Sequence, residues 1–181
     1  MAQAGIAVRP MVESDLPAVL AIQAVCYTEI VPESAGSLLA KLRASPSTCF
    51  IAARDAETVG YLIALPWQSA SPPRLDAATC RLPSRPDCLY LHDLAVVDHA
   101  RAAGAGRALV DKFLHRLRGL ELGRASLVAI QNSGAYWARY GFRAVPVAAP
   151  LQARLASYGA GVQYMERPPG SDDRRASMAD G

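Results

Sequence analysis

The chain has little of what marks several large functional classes. Its 181 residues include only four cysteines and three histidines. Cys26, Cys49, Cys80 and Cys88 lie far apart without metal-ligand spacing, and His92, His99 and His115 are not grouped, so no metal centre is expected. Cys26 and Cys49 sit in apolar runs and read as small core residues. Cys80 and Cys88 flank a loop and could pair only in an oxidising compartment, which nothing else in the sequence suggests. Charge of one sign is not concentrated either. Nineteen basic residues face sixteen acidic ones, a net charge of +3, scattered along the chain. A nucleic-acid binder needs a concentrated basic face, so that partner is not expected. No apolar run reaches the roughly 20 residues needed to span a bilayer. The segment Met1–Gly5 has neither the basic nor the apolar stretch of a signal peptide. These absences point to a cytoplasmic protein with no membrane or nucleic-acid partner.

What is present fits a single soluble domain over residues 1–167, with 51% hydrophobic and 19% charged residues. Residues 168–181 form a polar tail expected to be disordered. Ile6 to Val8 reads as a short strand, and a helix capped by Ser14 follows, with Leu16, Val19, Leu20 and Val25 on its apolar side. A second helix carries Leu38, Leu39 and Leu42. The runs 49–53 and 59–65 read as a hairpin across a polar turn. The stretch 68–87 is rich in Pro, Ser and Arg and has no periodicity. It reads either as a lid or binding loop, or as a tolerated surface insertion. After it come a strand at 89–97, an amphipathic helix at 107–120 with Leu109, Val110, Phe113, Leu114 and Leu117 on one face, and a buried strand at 126–130. A short helix over 133–140 and strands near 142–147 and 162–165 complete the chain.

Two features stand out. In the strand at 89–97, Leu89 and Leu91 share a parity that Leu94 and Val96 break. One extra residue near His92 and Asp93 would put all four on one side, which is the trace of a β-bulge; a strand buried on both faces is the other reading. The second feature is Arg101-Ala102-Ala103-Gly104-Ala105-Gly106-Arg107, between that strand and the amphipathic helix. Two glycines at a helix mouth leave N–H groups uncovered where the helix end carries partial positive charge. Arg101 and Arg107 add full charge, so the loop suits a phosphate. A tight strand-to-helix turn would need the same glycines. A dinucleotide fold fails for want of an acid at the end of the next strand, and a P-loop fails for want of Gly-Lys-Ser/Thr.

With its Arg101-x-x-Gly104-x-Gly106 loop, the preceding strand Leu91-His92-Asp93-Leu94-Ala95-Val96, Asn132 after the next strand, and Tyr136-Trp137-Ala138-Arg139-Tyr140-Gly141-Phe142, the chain resembles the GNAT superfamily of acyl-CoA N-acyltransferases. The likeness covers residues 5 to 166. It implies an α/β (α+β) fold: a mixed, mostly antiparallel central sheet of six to seven strands flanked by about four helices, bulged and splayed at the fourth strand. It also implies acetyl-CoA as cosubstrate. The pantetheine arm would lie along Leu94, Ala95 and Val96, the pyrophosphate on Arg101, Ala102, Ala103, Gly104, Ala105, Gly106 and Arg107, with Asn132 and Trp137 beside the arm. Tyr27, Glu29 and Tyr90 would border the acceptor amine. The protein would be a monomer or homodimer.

Acetyl transfer to an amine needs a base, because an alkylammonium with pKa near ~10.4 is mostly protonated at neutral pH. His92 is the leading base, with a structural or substrate-contact histidine as the other reading. Some members of the superfamily carry strand histidines at the positions of Tyr90 and His92. Asp93 could orient His92, hold the substrate's cation, or hydrogen-bond the bulge. Where the family usually has a tyrosine as proton donor to the thiolate stands Trp137, whose indole N–H cannot serve. Tyr136, Tyr140 or water could take that part. Glu33 lies in the same loop as Glu29, where carboxylates suit a cationic amine and are equally explained by solvation. The function expected is an acetyl-CoA-dependent N-acetyltransferase acting on a small-molecule, N-terminal or lysine amine. A non-catalytic acyl-CoA sensor on the same fold, and a transferase of longer acyl groups, are the alternatives.

Overall fold

The computed structural model describes residues 5–171. A seven-stranded sheet has the order β1-β2-β3-β4-β5-β7-β6. Its strands are β1 (Ala7–Pro10), β2 (Cys49–Arg54), β3 (Glu57–Trp67), β4 (Cys88–Val96), β5 (Ala125–Ala129), β6 (Arg143–Ala144) and β7 (Gln163–Arg167). All neighbours are antiparallel except β4 and β5. Helices α1 (Leu16–Cys26), α2 (Ala35–Ala44), α3 (Asp98–Arg101), α4 (Ala105–Gly119), α5 (Gly134–Ala138) and α6 (Ala149–Ala156) surround it. None is long and apolar enough to cross a membrane.

Alternation along the strands splits the core in two, because successive side chains leave a pleated sheet on opposite faces. Phe50, Ala52, Leu62, Ala64, Leu89 and Leu91 pack with Leu109, Val110, Phe113 and Leu117 of α4. Ile51, Tyr61, Ile63 and Ala95 turn the other way, onto Leu16, Val19, Ile22, Leu38 and Leu42 of α1 and α2. The α4 face is thus the one that helical periodicity predicts. On α1 the prediction slips: Ile22 is buried while Val25 is 70% exposed. A repeat of 3.6 residues carries the face from Val19 to Ile22 and Gln23 and turns Val25 outward. Ser14 does not cap α1. It lies in a single 3₁₀ turn (Glu13–Asp15), and Asp15 accepts from the Val12 N–H (2.8 Å) and from both Arg9 terminal nitrogens (2.8 and 2.6 Å).

Among the described residues six α-helices stand where about four helices were expected. The additions are the one-turn α3 and α6; α6 buries only Leu155, so it leaves almost no apolar stripe in the sequence. Strand β6 ends at Ala144, short of the expected 147, although Val145 N still donates to Tyr164 O of β7 (3.2 Å).

The anomaly in β4 is a bulge. The β3–β4 register runs from Ile63↔Asp93 to Ala64↔Leu91, leaving His92 without a counterpart. Leu89, Leu91, Leu94 and Val96 all reach the α4 side. Beyond Leu91↔Leu127 the parallel pairing of β4 with β5 ends and the strands part. The stretch 68–87 has no regular structure, yet it is tied down at both ends. Trp67 Nε1 donates to Ser71 O (2.7 Å), Ala70 N to Tyr164 Oη (2.6 Å), an Arg154 terminal nitrogen to Pro72 O (2.7 Å), and Ser69 N to Asp87 Oδ1 (2.7 Å). All four cysteines are free. Residues 172–181, most of the expected disordered tail, lie outside the described residues.

Gly60 sets how closely β3 and β4 approach beside the parting. A Cβ there would stand 3.0 Å from Ala95 O and 3.0 Å from Val96 Cγ2. The carbonyl belongs to the backbone of a central strand and cannot swing aside. Gly60→Ala is expected to lower stability by about 1–3 kcal/mol, the range for overpacking. Urea unfolding should show a lower midpoint at unchanged m-value; an unmoved midpoint would mean the strands give way freely.

Candidate active site

The parting of β4 and β5 opens a cleft of about 820 Å³ lined by His92 to Val96, Leu127, Val128, Gln131, Tyr136, Trp137 and the loop before α4. That volume is in the range of small-molecule sites. At its far end Gly104 has φ +83°, a conformation that costs a side chain dearly and glycine little. The Gly104 N–H is used internally, on Arg101 O (3.1 Å). The first-turn N–H groups of the fifteen-residue α4 have no acceptor within the helix. Arg101, Gly104, Gly106 and Arg107 all line the cleft. Gly106 is required for a different reason. A Cβ there would meet the Tyr136 hydroxyl at 3.0 Å and Val96 Cγ2 at 3.9 Å.

Tyr136 is therefore delivered to the glycine loop. Tyr136 and His92 line the same cleft. Burial, then a hydrogen bond with Tyr140, raises the Tyr136 phenol pKa above its ordinary value. Trp137 is 7% exposed and packs its ring against those of Tyr136, Tyr140 and Phe142, with centroids 5.0, 6.3 and 5.8 Å away. Asn132 does not line the cleft and stands against Gly161. Gln131 takes the place expected of it: it lines the cleft, and its Oε1 is buried without a partner. Both residues have left-handed φ (49° and 57°), so the chain turns sharply at the end of β5, and a one-residue difference decides which amide faces inward. Two β4 carbonyls are already engaged: Leu94 O accepts from Tyr27 Oη (3.2 Å) and Val96 O from Arg101 Nε (3.1 Å).

The bulge sets His92 and Asp93 on the α1–α2 face together. His92 Nε2 is bonded to Glu33 Oε1, and the imidazole is 1% exposed. Glu33 lies just before α2. Its Oε2 accepts from Ser37 Oγ (2.6 Å), Lys41 Nζ (2.7 Å) and the Asp76 N–H (3.0 Å). Its main chain is held at both polar atoms by the buried Gln23 amide: Nε2 donates to Glu33 O (2.9 Å), and Oε1 accepts from Glu33 N (3.2 Å). Burial alone would raise the Glu33 carboxyl, but the bonds and charge of His92, with bonds from Lys41 and Ser37, hold it well below the usual carboxylate range. An ionised carboxylate only accepts. His92 Nε2 must then carry the hydrogen, and in the neutral ring Nδ1 keeps a lone pair. That Nδ1 is buried and has no partner.

Asp93 is not the group that orients His92. Its oxygens accept from Tyr27 Oη and from Tyr61 Oη (2.6 Å). Burial raises its carboxyl pKa, against the lowering effect of those two hydrogen bonds. Asp93 therefore anchors the bulge to β3 and to the end of α1.

A second, smaller cavity of about 60 Å³ meets the cleft at Tyr27, His92, Asp93, Val128 and Ile130, which line both. Tyr90 lines it and Glu29 does not; Glu29 is exposed, and Glu33 is the carboxylate from that loop that enters. Pro72, Pro73 and Leu75 form its outer wall, so the stretch 68–87 is part of the site. Arg154 and Tyr158, from and just after α6, close it and were not anticipated. Among the described residues no three His, Cys, Asp or Glu side chains are grouped to hold a metal ion.

Residues 16–142 match the family model described as Acetyltransferase (GNAT) family. No curated protein matches the chain significantly. Among solved structures, Ard1 from Thermoplasma volcanium superposes with a TM-score of 0.70 at 19% identity, covering 92% of this chain and 99% of that one. The ribosomal-protein-S18-alanine N-acetyltransferase from Escherichia coli gives 0.65 at 15% identity, covering 92% and 96%. Rv2747 from Mycobacterium tuberculosis, in complex with CoA and NLQ, gives 0.65 at 19% identity, covering 90% and 98%. These likenesses establish a shared fold.

The Glu33 cluster has a signature in acid. A carboxyl whose folded pKa lies below its unfolded value of ~4.3 contributes stability fully above that value and loses it as pH falls toward the folded pKa. In Glu33→Gln the buried Lys41 ammonium faces a neutral amide. The wild type should be more stable than Glu33→Gln at neutral pH, and the gap should shrink as pH drops below about 4. Urea unfolding at both pH values measures it; a constant gap would mean that Glu33 does not titrate far below its ordinary range.

Proposed function

Because the chain belongs to the acetyltransferase (GNAT) family, we propose that it is an acetyl-CoA-dependent N-acetyltransferase that acetylates a primary amine by direct attack in a ternary complex. The observation that carries this reading is His92: its Nδ1 is buried and unpartnered, and the residue lines both cavities. The residues present fit an acyl-CoA. The first turn of α4, with Arg101 and Arg107, suits its pyrophosphate. The β4 edge from Leu94 to Val96, which β5 leaves unpaired, suits its amide-bearing arm. The unpartnered Gln131 Oε1 offers that arm an acceptor.

The thioester supplies an activated acyl carbon: the acceptor nitrogen bonds to it, the carbon–sulfur bond breaks, and CoA leaves as the thiol. The chain's own part is proton handling and positioning. His92 Nδ1 takes the proton that the nitrogen must lose, while the Glu33 carboxylate stabilises the imidazolium formed. His92 then returns that proton to the departing sulfur or to water. Main-chain N–H groups at the bulge meet the charge growing on the carbonyl oxygen. Tyr136, packed on Gly106, supports the glycine loop.

Two variants test the reading. His92→Ala should lower kcat about 10²–10⁴-fold near neutral pH, the usual contribution of a general base. The deficit should narrow as pH rises toward the amine pKa of ~10.4, where free amine no longer needs a base. An undisturbed pH–rate profile would remove His92 from the chemistry. Gly104→Asp should abolish acetyl-CoA binding in titration calorimetry. A side chain at 104 meets nothing within 4 Å, so the loss would come from the strained φ and from the added charge facing the pyrophosphate. Unchanged affinity would take the glycine loop out of the site. Bound acetyl-CoA without turnover of any amine would favour a non-catalytic sensor.

A further inference from the structure

The smaller cavity contains a cation that the transfer chemistry does not use. Arg154 projects from α6 and donates one terminal N–H to Pro72 O (2.7 Å). Its Nε is buried and has no hydrogen-bond partner. Among the described residues no carboxylate lies within ion-pairing distance of it. A buried guanidinium N–H left unpaired is costly, and the guanidinium fork matches the planar pair of oxygens of a carboxylate, as it does a phosphate.

The cavity's own acids do not meet that demand. Glu33 is taken by Lys41, Ser37 and His92, and Asp93 by Tyr27 and Tyr61. With both carboxylates engaged, the cavity is not built to attract a bare cation. Tyr90 lines the same cavity as His92 and Arg154, and its ring centroid is 6.0 Å from that of His92. Much of the remaining wall is apolar, through Ile30, Val31, Leu75, Val128 and Ile130. Val31 and Leu75 stay 91% and 41% exposed, an apolar rim at the mouth.

Resting on the transferase reading, we infer that Arg154 binds the carboxylate of the acceptor, which is a free amino acid with an apolar side chain. Its nitrogen meets His92 Nδ1, its carboxylate meets Arg154 and its side chain lies along the apolar wall. The product is the N-acetyl amino acid, with CoA as the thiol. As folded, the cavity of about 60 Å³ has room for a few waters. The incoming carboxylate therefore replaces Pro72 O on Arg154, and the loop at 72–75 eases outward.

The test compares kcat/KM, with acetyl-CoA saturating, for L-leucine, L-methionine and L-phenylalanine, for their amides, and for the corresponding amines without the carboxylate. A short peptide with a free N-terminus is included. Amino acids should lead amides and amines by roughly tenfold to a hundredfold, carried by KM, which is what a charge-assisted hydrogen bond supplies. In Arg154→Gln the ratio should fall toward one, and Arg154→Lys should restore part of it. Retained acetyl-CoA affinity shows that each variant is folded. Amides, amines or the peptide matching the amino acids in the wild type would overturn the assignment of Arg154 and leave the transferase reading standing, as would a ratio unmoved by Arg154→Gln. Acetyl-CoA binding with no acceptor turned over would instead strike the transferase reading, and this inference with it.

Discussion

One extra residue in β4 governs the architecture of the site. A regular strand would send His92 and Asp93 to opposite faces. Because His92 has no partner on β3, both side chains face α1 and α2, while Leu94 and Val96 regain the α4 core. That side supplies a distinct clamp for each residue: Tyr27 and Tyr61 for Asp93, Glu33 for His92. The strand also twists more strongly at a bulge, and just past Leu91 its pairing with β5 ends. The same irregularity therefore accompanies the opening of the cleft and places the imidazole on its wall.

Holding the imidazole requires an arrangement that is unfavourable on its own terms. Lys41 and Glu33 have side chains only 2% and 7% exposed. Removing two charges from water costs several kcal/mol per ion, and the attraction between them repays this only with good geometry and further hydrogen bonds. Those further bonds are present: Ser37, the Asp76 N–H and His92 complete the carboxylate's coordination, and Gln23 fixes its backbone. An apolar trio of similar volume could fill the same space, but it would not select a tautomer. In the neutral imidazole, a carboxylate held ionised takes the hydrogen of Nε2 and leaves the lone pair on Nδ1, the form that a general base at this position needs.

What could be read from the sequence follows the range of the interactions involved. The glycine loop, the α4 stripe and the parity break in β4 are local patterns, each carried by a few neighbouring residues, and each is found where the sequence put it. The Glu33–His92 contact joins residues 59 positions apart, and the Arg154–Pro72 contact joins residues 82 apart. No periodicity encodes either. Glu33 was visible as one of two acids in a loop, yet nothing local distinguished it from Glu29, which stays in solvent. Helix α6 leaves little trace in the sequence because it packs mainly through Leu155. Gln131 and Asn132 differ by one position at a strand end, the least determinate place in any element, and a pair of left-handed residues there decides which amide turns inward.

The substitution of Trp137 for the family's usual tyrosine fits this division of labour. The indole is buried among Tyr136, Tyr140 and Phe142, where edge-to-face aromatic packing stabilises the short α5 and seats Tyr136 on Gly106. A phenol at 137, smaller than the indole, would give up part of these ring contacts. Having given this position to packing, the chain concentrates its titratable groups on the other side of β4, around one histidine. A base that has accepted a proton beside an ionised carboxylate is also an acid. Where acceptor and sulfur flank the same imidazole, a separate donor at 137 is dispensable.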